Sequence, residues 1–261
     1  MVFQALLSTS ILFFAFVNVA FCFQINRKHG RLVLSSGLID SRLPRNWIRP
    51  VAVESRSTQL HFFDKMFEES GPLGKGITVG KVQVAVLCND RSSNSIFAPL
   101  EKCASNAGSS NSQALSQLAN DVCIALLRKS EDWTAACSES KWYSQNDAGG
   151  AESLFNEWAN REATKFEKEY IPGPDSKEKG GGPTTAVISL VIELQGDSTN
   201  FEGAGFSISG TKEVLSSIAS DVMVERGDCL NAVEVFWTPS ERDEVLTKQD
   251  IILDFPELID L

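Results

Sequence analysis

The segment Ile77–Cys88, with the sequence ITVGKVQVAVLC, constrains the fold more than any other part of this chain. It is rich in β-branched and apolar residues, over a length that suits a strand. Its apolar side chains fall on both alternating sets of positions, namely Val82, Val84 and Val86 against Ala85 and Leu87. Successive side chains of a strand point to opposite faces, so both faces must be covered. We therefore predict a central strand, with a bend or tight hairpin at Gly80.

Two further segments have strand character. Thr184–Leu194 (TTAVISLVIEL) is a nearly continuous apolar run that is too short to span a membrane as a helix. Leu230–Thr238 (LNAVEVFWT) alternates between two sets of side chains and is followed by Pro239, which cannot continue a ladder. The sequence thus predicts three strands, the last of which ends at the Trp-Thr-Pro motif. In this motif we expect Trp237 to fill the layer between sheet and helices.

Helical spacing of apolar residues and capping signals predict several helices. The predicted helix Gln113–Lys129 is capped by Ser110 or Ser112. The last predicted helix has Thr247 as its cap, with Asp250 at its third position. A short helix is expected within Glu131–Tyr143, and Pro172–Pro183 (PGPDSKEKGGGP) is expected to be a loop. Apart from the short helix, the predicted helices are Ile96–Ala104, Gln113–Lys129, Ala151–Tyr170, Thr211–Ser220 and Thr247–Phe255.

The predicted helix Ala151–Tyr170 is amphipathic. Its apolar side includes Phe155 and Trp158, which we expect to lie in the core. The opposite side carries alternating charges, and we expect this side to face solvent. The charged positions are Glu157, Arg161, Glu162, Lys165 and Glu169.

The order of elements is β, several α, β, α, β, α, which predicts the α+β class, with α/β as the alternative. We expect a small sheet of three to four strands packed against several helices, preceded by a disordered N-terminal leader. The predicted organisation is a signal peptide at 1–22, a transit-like segment at 23–62, a linker at 63–76 and a single domain at 77–261. The linker includes GPLGKG, which lacks the spacing and the Ser/Thr of a phosphate-binding loop.

The leader contains two predicted targeting signals, one after the other. Residues 5–23 are uncharged, and Ala20-Phe21-Cys22 fits a cleavage site before Phe23. The following segment, 23–60, is rich in Arg and Ser and poor in acids, as transit peptides are. This order resembles the bipartite presequence of algae with endoplasmic-reticulum-derived outer plastid membranes, and it predicts a plastid location. An uncleaved membrane anchor and a secreted protein with a basic propeptide are the alternatives, and no later segment is expected to span a membrane.

Charge and histidine content exclude several classes of function. The chain has a net charge of −10, to which residues 1–62 contribute +5 and residues 63–261 contribute −15, so the body is strongly acidic. An acidic body repels phosphate backbones, and we predict no nucleic-acid binding. Both histidines, His29 and His61, lie in the leader, which excludes imidazole-dependent catalysis and metal binding in the body. We expect no cofactor and no metal, and we assign no catalytic or binding residue.

Cysteines and acidic residues supply the remaining candidates. Cys88 and Cys123 lie in apolar runs and are expected in the core, whereas Cys103 and Cys137 lie near polar stretches and are expected to be exposed thiols. The absence of any CxxC argues against a zinc cluster. Glu193 and Glu234, on two predicted strands, are the one pair of acids that could approach each other for acid–base chemistry.

Several segments resemble the family called domain of unknown function 1517, found in cyanobacteria and plastid-bearing eukaryotes. The resemblance covers residues 77–258, and the C-terminal stretch is its most specific part. The plant members carry an apolar segment between transit peptide and domain that this chain lacks. The segments are KVQVAVLCNDR, ALSQLANDVCIALLRKSEDW, AESLFNEWANREATKFEKE and LNAVEVFWTPSERDEVLTKQDIILDFPEL.

The resemblance implies a plastid protein, associated with thylakoid or envelope, that regulates photosynthetic energy use in light acclimation or energy dissipation. It implies no reaction. We therefore expect a non-catalytic regulatory or assembly protein with an unknown protein partner. A secreted or luminal binding protein and an acid-dependent enzyme are the alternatives.

Overall fold

The computed structural model describes residues 70–106, 111–165, 183–239 and 244–261. The predicted signal peptide, the transit-like segment, the disordered leader and most of the predicted loop Pro172–Pro183 lie outside these ranges. Within the predicted linker, residues 71–76 form a turn. Leu73 is buried there, and the Lys75 amide donates a hydrogen bond to Asp197 Oδ1 at 3.0 Å.

The described residues form five strands and five α-helices. The strands are β1 (Ile77–Cys88), β2 (Trp133–Tyr143), β3 (Thr184–Gln195), β4 (Leu230–Thr238) and β5 (Ile259–Asp260). The helices are α1 (Phe97–Asn106), α2 (Ser112–Arg128), α3 (Ala148–Lys165), α4 (Ile208–Asp221) and α5 (Lys248–Asp254). The strands make one sheet in the order β4-β3-β1-β2-β5, and every pairing is antiparallel. The antiparallel sheet places the fold in the α+β class and removes the α/β alternative.

β1 is the central strand, as predicted. It pairs with β3 along its whole length and with β2 from Ile77 to Val86. Gly80 does not make the bend or hairpin that we expected, because the strand runs through it without interruption. The ring of Phe201 packs where a Cβ at this position would be. The glycine is therefore explained by close packing rather than by a turn.

Both faces of the sheet are covered, and different elements cover them. The first face, which includes Val82, Val84 and Val86, packs against α1, α2 and α4 in the largest apolar cluster. Trp237 packs at the edge of this cluster, as expected for the Trp-Thr-Pro motif. The half of the second face that carries Ile77 and Val79 packs against α3, where Phe155 contributes to a second apolar cluster.

The other half of the second face, which carries Ala85, is covered by residues 244–261, which we call the C-terminal strap. The strap includes α5 and β5, and it ends at the sheet edge opposite β4. Phe255 anchors it, because its buried ring packs in a cluster with Ala85, Ala135 and Val187. Thr247 and Asp250 form the predicted capping box at the start of α5. The small alanines beneath Phe255 leave room for its ring.

Two predictions about the sheet are wrong. Glu131–Tyr143 contains no α-helix: after a single 3₁₀ turn it forms β2, which pairs with β1. The sheet therefore has five strands instead of three to four. β2 lies near the edge of the sheet. Its exposed positions are polar, but they do not alternate with its buried positions, so the sequence lacks the period of two that marks a half-buried strand. β5 is only two residues long, and its pairing with Ala135 and Ala136 depends on tertiary contacts that no local pattern reveals.

The helices lie close to their predicted positions. The cap of α2 is Asn111, whose side chain accepts a hydrogen bond from the Ala114 amide, and neither predicted serine is the cap. α3 begins at Ala148, so Gly149 and Gly150 lie in its first turn instead of preceding it. In the described ranges, no helix is long and apolar enough to cross a membrane.

Candidate functional site

Polar residues interrupt the apolar second face of the sheet at its centre. Lys81 and Gln83 lie in β1, and Ser189 lies opposite Gln83 in β3. All three side chains are buried. Burying polar groups is unfavourable unless they are paired, so their partners must come from the layer that covers this face.

Glu162 of α3 is the common partner of these groups, and it is fully buried. Its Oε2 accepts hydrogen bonds from Gln83 Nε2 at 2.8 Å and from Ser189 Oγ at 3.0 Å. Its Oε1 lies 3.4 Å from Lys81 Nζ and 3.1 Å from Lys165 Nζ. Two neutral donors and two cations therefore satisfy one carboxylate. The prediction that Glu162 lies on the solvent side of its helix is wrong.

Two more carboxylates approach the lysines from the more exposed side. Glu139 of β2 lies 2.7 Å from Lys81 Nζ, and Glu257 of the strap pairs with Lys165 and lies 3.8 Å from Lys81 Nζ. Burial opposes the charge on Lys81, but the hydrogen bond with Glu139 and the nearby carboxylates outweigh it and raise its pKa. Burial likewise opposes the charge on Glu257, but the hydrogen bond from Lys165 and the two lysine charges lower its pKa. Both groups are therefore charged at neutral pH.

A cavity of about 620 Å³ opens above these charges, between β2, α3 and the strap. The lysines lie at its floor, where the Lys81 side chain is only 3% exposed and that of Lys165 is 13% exposed. The acids lie nearer the mouth, with Glu139 at 45% and Glu257 at 31%. The apolar part of the lining consists of Ala204, Phe206, Leu253, Pro256 and Ile259.

Cys137 also lines the cavity, but its thiol is buried, so the prediction of an exposed thiol is wrong. The thiol donates a hydrogen bond to Gln83 Oε1 at 3.2 Å. Burial raises its pKa to about 12, which keeps it protonated at physiological pH. Cys103 is partly exposed, and Cys88 and Cys123 are buried as expected.

The predicted pair of acids lies elsewhere. Glu193 and Glu234 are both buried, in β3 and β4, and neither belongs to the lining of the cavity. Glu193 Oε1 accepts a hydrogen bond from Asn231 Nδ2 at 2.9 Å, so this carboxylate has a neighbouring partner in the sheet. No group of three or more potential metal ligands occurs among the residues that the structure describes.

Sequence reasoning missed the floor of this cavity almost entirely. Lys81 and Gln83 were available as a signal, because a charge and an amide in an otherwise apolar central strand need buried partners. Glu162 follows Phe155 and Trp158 by whole helical turns, which places it on their side of α3. The contribution of Glu257 depends on the path of the strap and has no comparable local signal.

Comparisons with known proteins bear on the whole domain. The family model described as "Protein of unknown function (DUF1517)" matches residues 76–261. "Protein FLAP1 homolog A" of Synechocystis is 26% identical over 200 residues, which cover 70% of this chain and 56% of the relative. "FLUCTUATING-LIGHT-ACCLIMATION protein 1, chloroplastic" of Arabidopsis thaliana is 25% identical over 188 residues, which cover 69% of this chain and 46% of that protein. The matches thus span about half the length of these relatives. No solved structure matches.

Proposed function

Because the chain belongs to the DUF1517 family, and because its relatives include a chloroplastic protein named for fluctuating-light acclimation, we propose that it is a non-catalytic plastid protein that acts in light acclimation. In this proposal it has a regulatory or assembly role, by way of a protein partner, at photosynthetic membranes, where it adjusts energy use or dissipation. The Synechocystis relative, named as a FLAP1 homologue, supports the same role.

The observation that carries the non-catalytic part of the proposal is the pairing within the cavity. Glu162 is surrounded by four donors, and the two lysines at the floor each contact at least two carboxylates. A general acid or base must instead be able to exchange a proton with a substrate. The neighbouring thiol is held protonated, which disfavours nucleophilic chemistry. This arrangement supports a binding or regulatory domain more than an enzyme.

In this proposal the protein is targeted to the plastid by the signal peptide followed by the transit-like segment. A fluorescent fusion of residues 1–62 should enter the plastid, because both signals are present in series. A fusion of residues 23–62 should remain in the cytosol, because it lacks the first signal. Plastid entry of the shorter fusion would contradict the two-step route.

The role itself is tested by disrupting the gene in its source organism. Chlorophyll fluorescence should differ from that of the parent strain under light that alternates between low and high intensity, and should match it under constant light. Reintroducing the full chain should restore the parental response. A disrupted strain that behaves as its parent under both regimes would contradict the proposal.

A further inference from the structure

The cavity combines a cationic floor with an apolar wall, and this combination points to a ligand class. At the floor, Lys81 and Lys165 share one fully buried carboxylate, that of Glu162. The deepest part of the site therefore holds two positive charges and one negative charge. Glu139 and Glu257, which are more exposed, lie nearer the mouth and exceed the extra positive charge by one negative charge.

Glu257 provides its negative charge from the strap. Its carboxylate lies between the two lysines, in contact with Lys165 and 3.8 Å from Lys81 Nζ. A carboxylate from another molecule could take this position without changing the total charge of the site. A cation could not, because it would meet both lysines.

The apolar wall of the cavity is the second feature that points to a ligand class. Phe206, Leu253 and Ile259 line it, and their exposed fractions are 83%, 69% and 42%. Large apolar side chains this exposed, gathered at the mouth of one cavity, are typical of binding sites. The volume of about 620 Å³ lies within the range of small-molecule pockets.

The strap is held on the sheet by Phe255, with Leu246, Ile251 and Leu258 packed around it, so a ligand would have to displace the Glu257 side chain and not the strap. α5 has no buried residue, and β5 pairs with β2 over only two residues. Its main apolar anchor is Phe255, which packs against the sheet and whose ring centroid lies 4.6 Å from Lys165 Nζ. Phe255 and Leu258 hold the backbone on either side of Glu257, so its carboxylate is displaced by rotation of its side chain, which is 31% exposed.

We propose that this cavity binds an amphipathic monoanion, whose carboxylate replaces Glu257 between Lys81 and Lys165 and whose apolar part lies against Phe206, Leu253 and Ile259. The chain's own glutamate then acts as an internal competitor for the site. This inference does not depend on the plastid role, since binding can occur with any cellular function of the domain.

The test is calorimetric titration of the mature protein, isolated after removal of the leader, with decanoate below its micelle concentration. Decanoate should bind with one site per chain, whereas decanol and decyltrimethylammonium should bind at least tenfold more weakly. Vesicles of phosphatidylcholine with phosphatidylglycerol form a separate arm and should not bind the chain. Binding to these vesicles without binding of decanoate would overturn the proposal in favour of a membrane surface.

Two variants separate this proposal from a merely structural role of the charges. Lys165→Gln should weaken decanoate binding about ten- to hundredfold, the loss expected for a hydrogen bond to a charged group. Glu257→Gln should strengthen it several-fold, because the internal competitor is removed. Lys212→Gln, on α4 and outside the cavity lining, is the matched control and should bind as the original chain does. No binding of decanoate, or weaker binding in Glu257→Gln, would overturn the proposal.

Discussion

Replacing Glu162 by Gln tests the polar cluster beneath the cavity most severely. The substitution preserves the shape of the side chain and removes its charge, so no large void is created. The carboxylate interacts with Lys81 and Lys165 and accepts hydrogen bonds from Gln83 and Ser189. An amide can keep one of the two acceptors only, and it leaves both lysines with fewer counter-charges.

The magnitude follows from these contacts. A hydrogen bond to a charged group contributes about 1.5–3 kcal/mol, and breaking a buried ion pair by removing one partner costs about 3–5 kcal/mol. Lys81 keeps Glu139 and Glu257 as neighbours, so we expect a loss near the lower end, about 2–3 kcal/mol of unfolding free energy. That is a large share of the roughly 5–15 kcal/mol typical of a domain.

The assay is urea denaturation followed by tryptophan fluorescence. Glu157→Gln is the control, because Glu157 is a neighbouring acid of the same helix that pairs with Arg161 at the surface. It should lower the unfolding free energy by less than about 1 kcal/mol. A double-mutant cycle with Lys81→Met should give a coupling energy of about 1 kcal/mol or more. Equal effects of Glu162→Gln and Glu157→Gln would refute the reasoning.

Three further predictions concern the tail, pH and metals. Truncation after Asn231 removes most of β4, whose buried side chains contribute roughly 1.5–3 kcal/mol each, so the remainder should show no cooperative melting. The free energy of unfolding should fall below pH 4.5, because the pKa of Glu257 is lowered on folding, and above pH 10.5, because that of Lys81 is raised. Titration of unfolding against pH checks both limits, and Glu257→Gln should reduce the acid loss. Elemental analysis of purified residues 63–261 should find no stoichiometric zinc or iron, and one metal per chain would contradict this.

The pattern of the central strands was sufficient to predict their position. Apolar residues on both sides of Ile77–Cys88 required two covering layers, and the structure has them. The capping box of Thr247 and Asp250 was equally predictable, because it is formed by residues three apart in the chain. Features that depend on local spacing were therefore accessible from the sequence.

The floor of the cavity was not predicted, and the reason is physical. Glu162 resembles its charged neighbours in sequence, and its burial is made favourable by polar residues of β1 and β3 together with Lys165. β2 was mistaken for a helix because its pairing with β1 decides its conformation more than its own pattern does. Glu257 reaches the site only because the strap crosses the sheet from β4 to β5.

The mature N-terminus of the protein tests most directly whether the folded domain acts inside the plastid. The protein is isolated from cells of its source organism, and its first residue is determined by mass spectrometry of the N-terminal peptide. Removal of both parts of the leader predicts an N-terminus near residue 60 or beyond. An N-terminus at Phe23 would show that only the signal peptide is removed, and it would contradict the plastid assignment in favour of secretion.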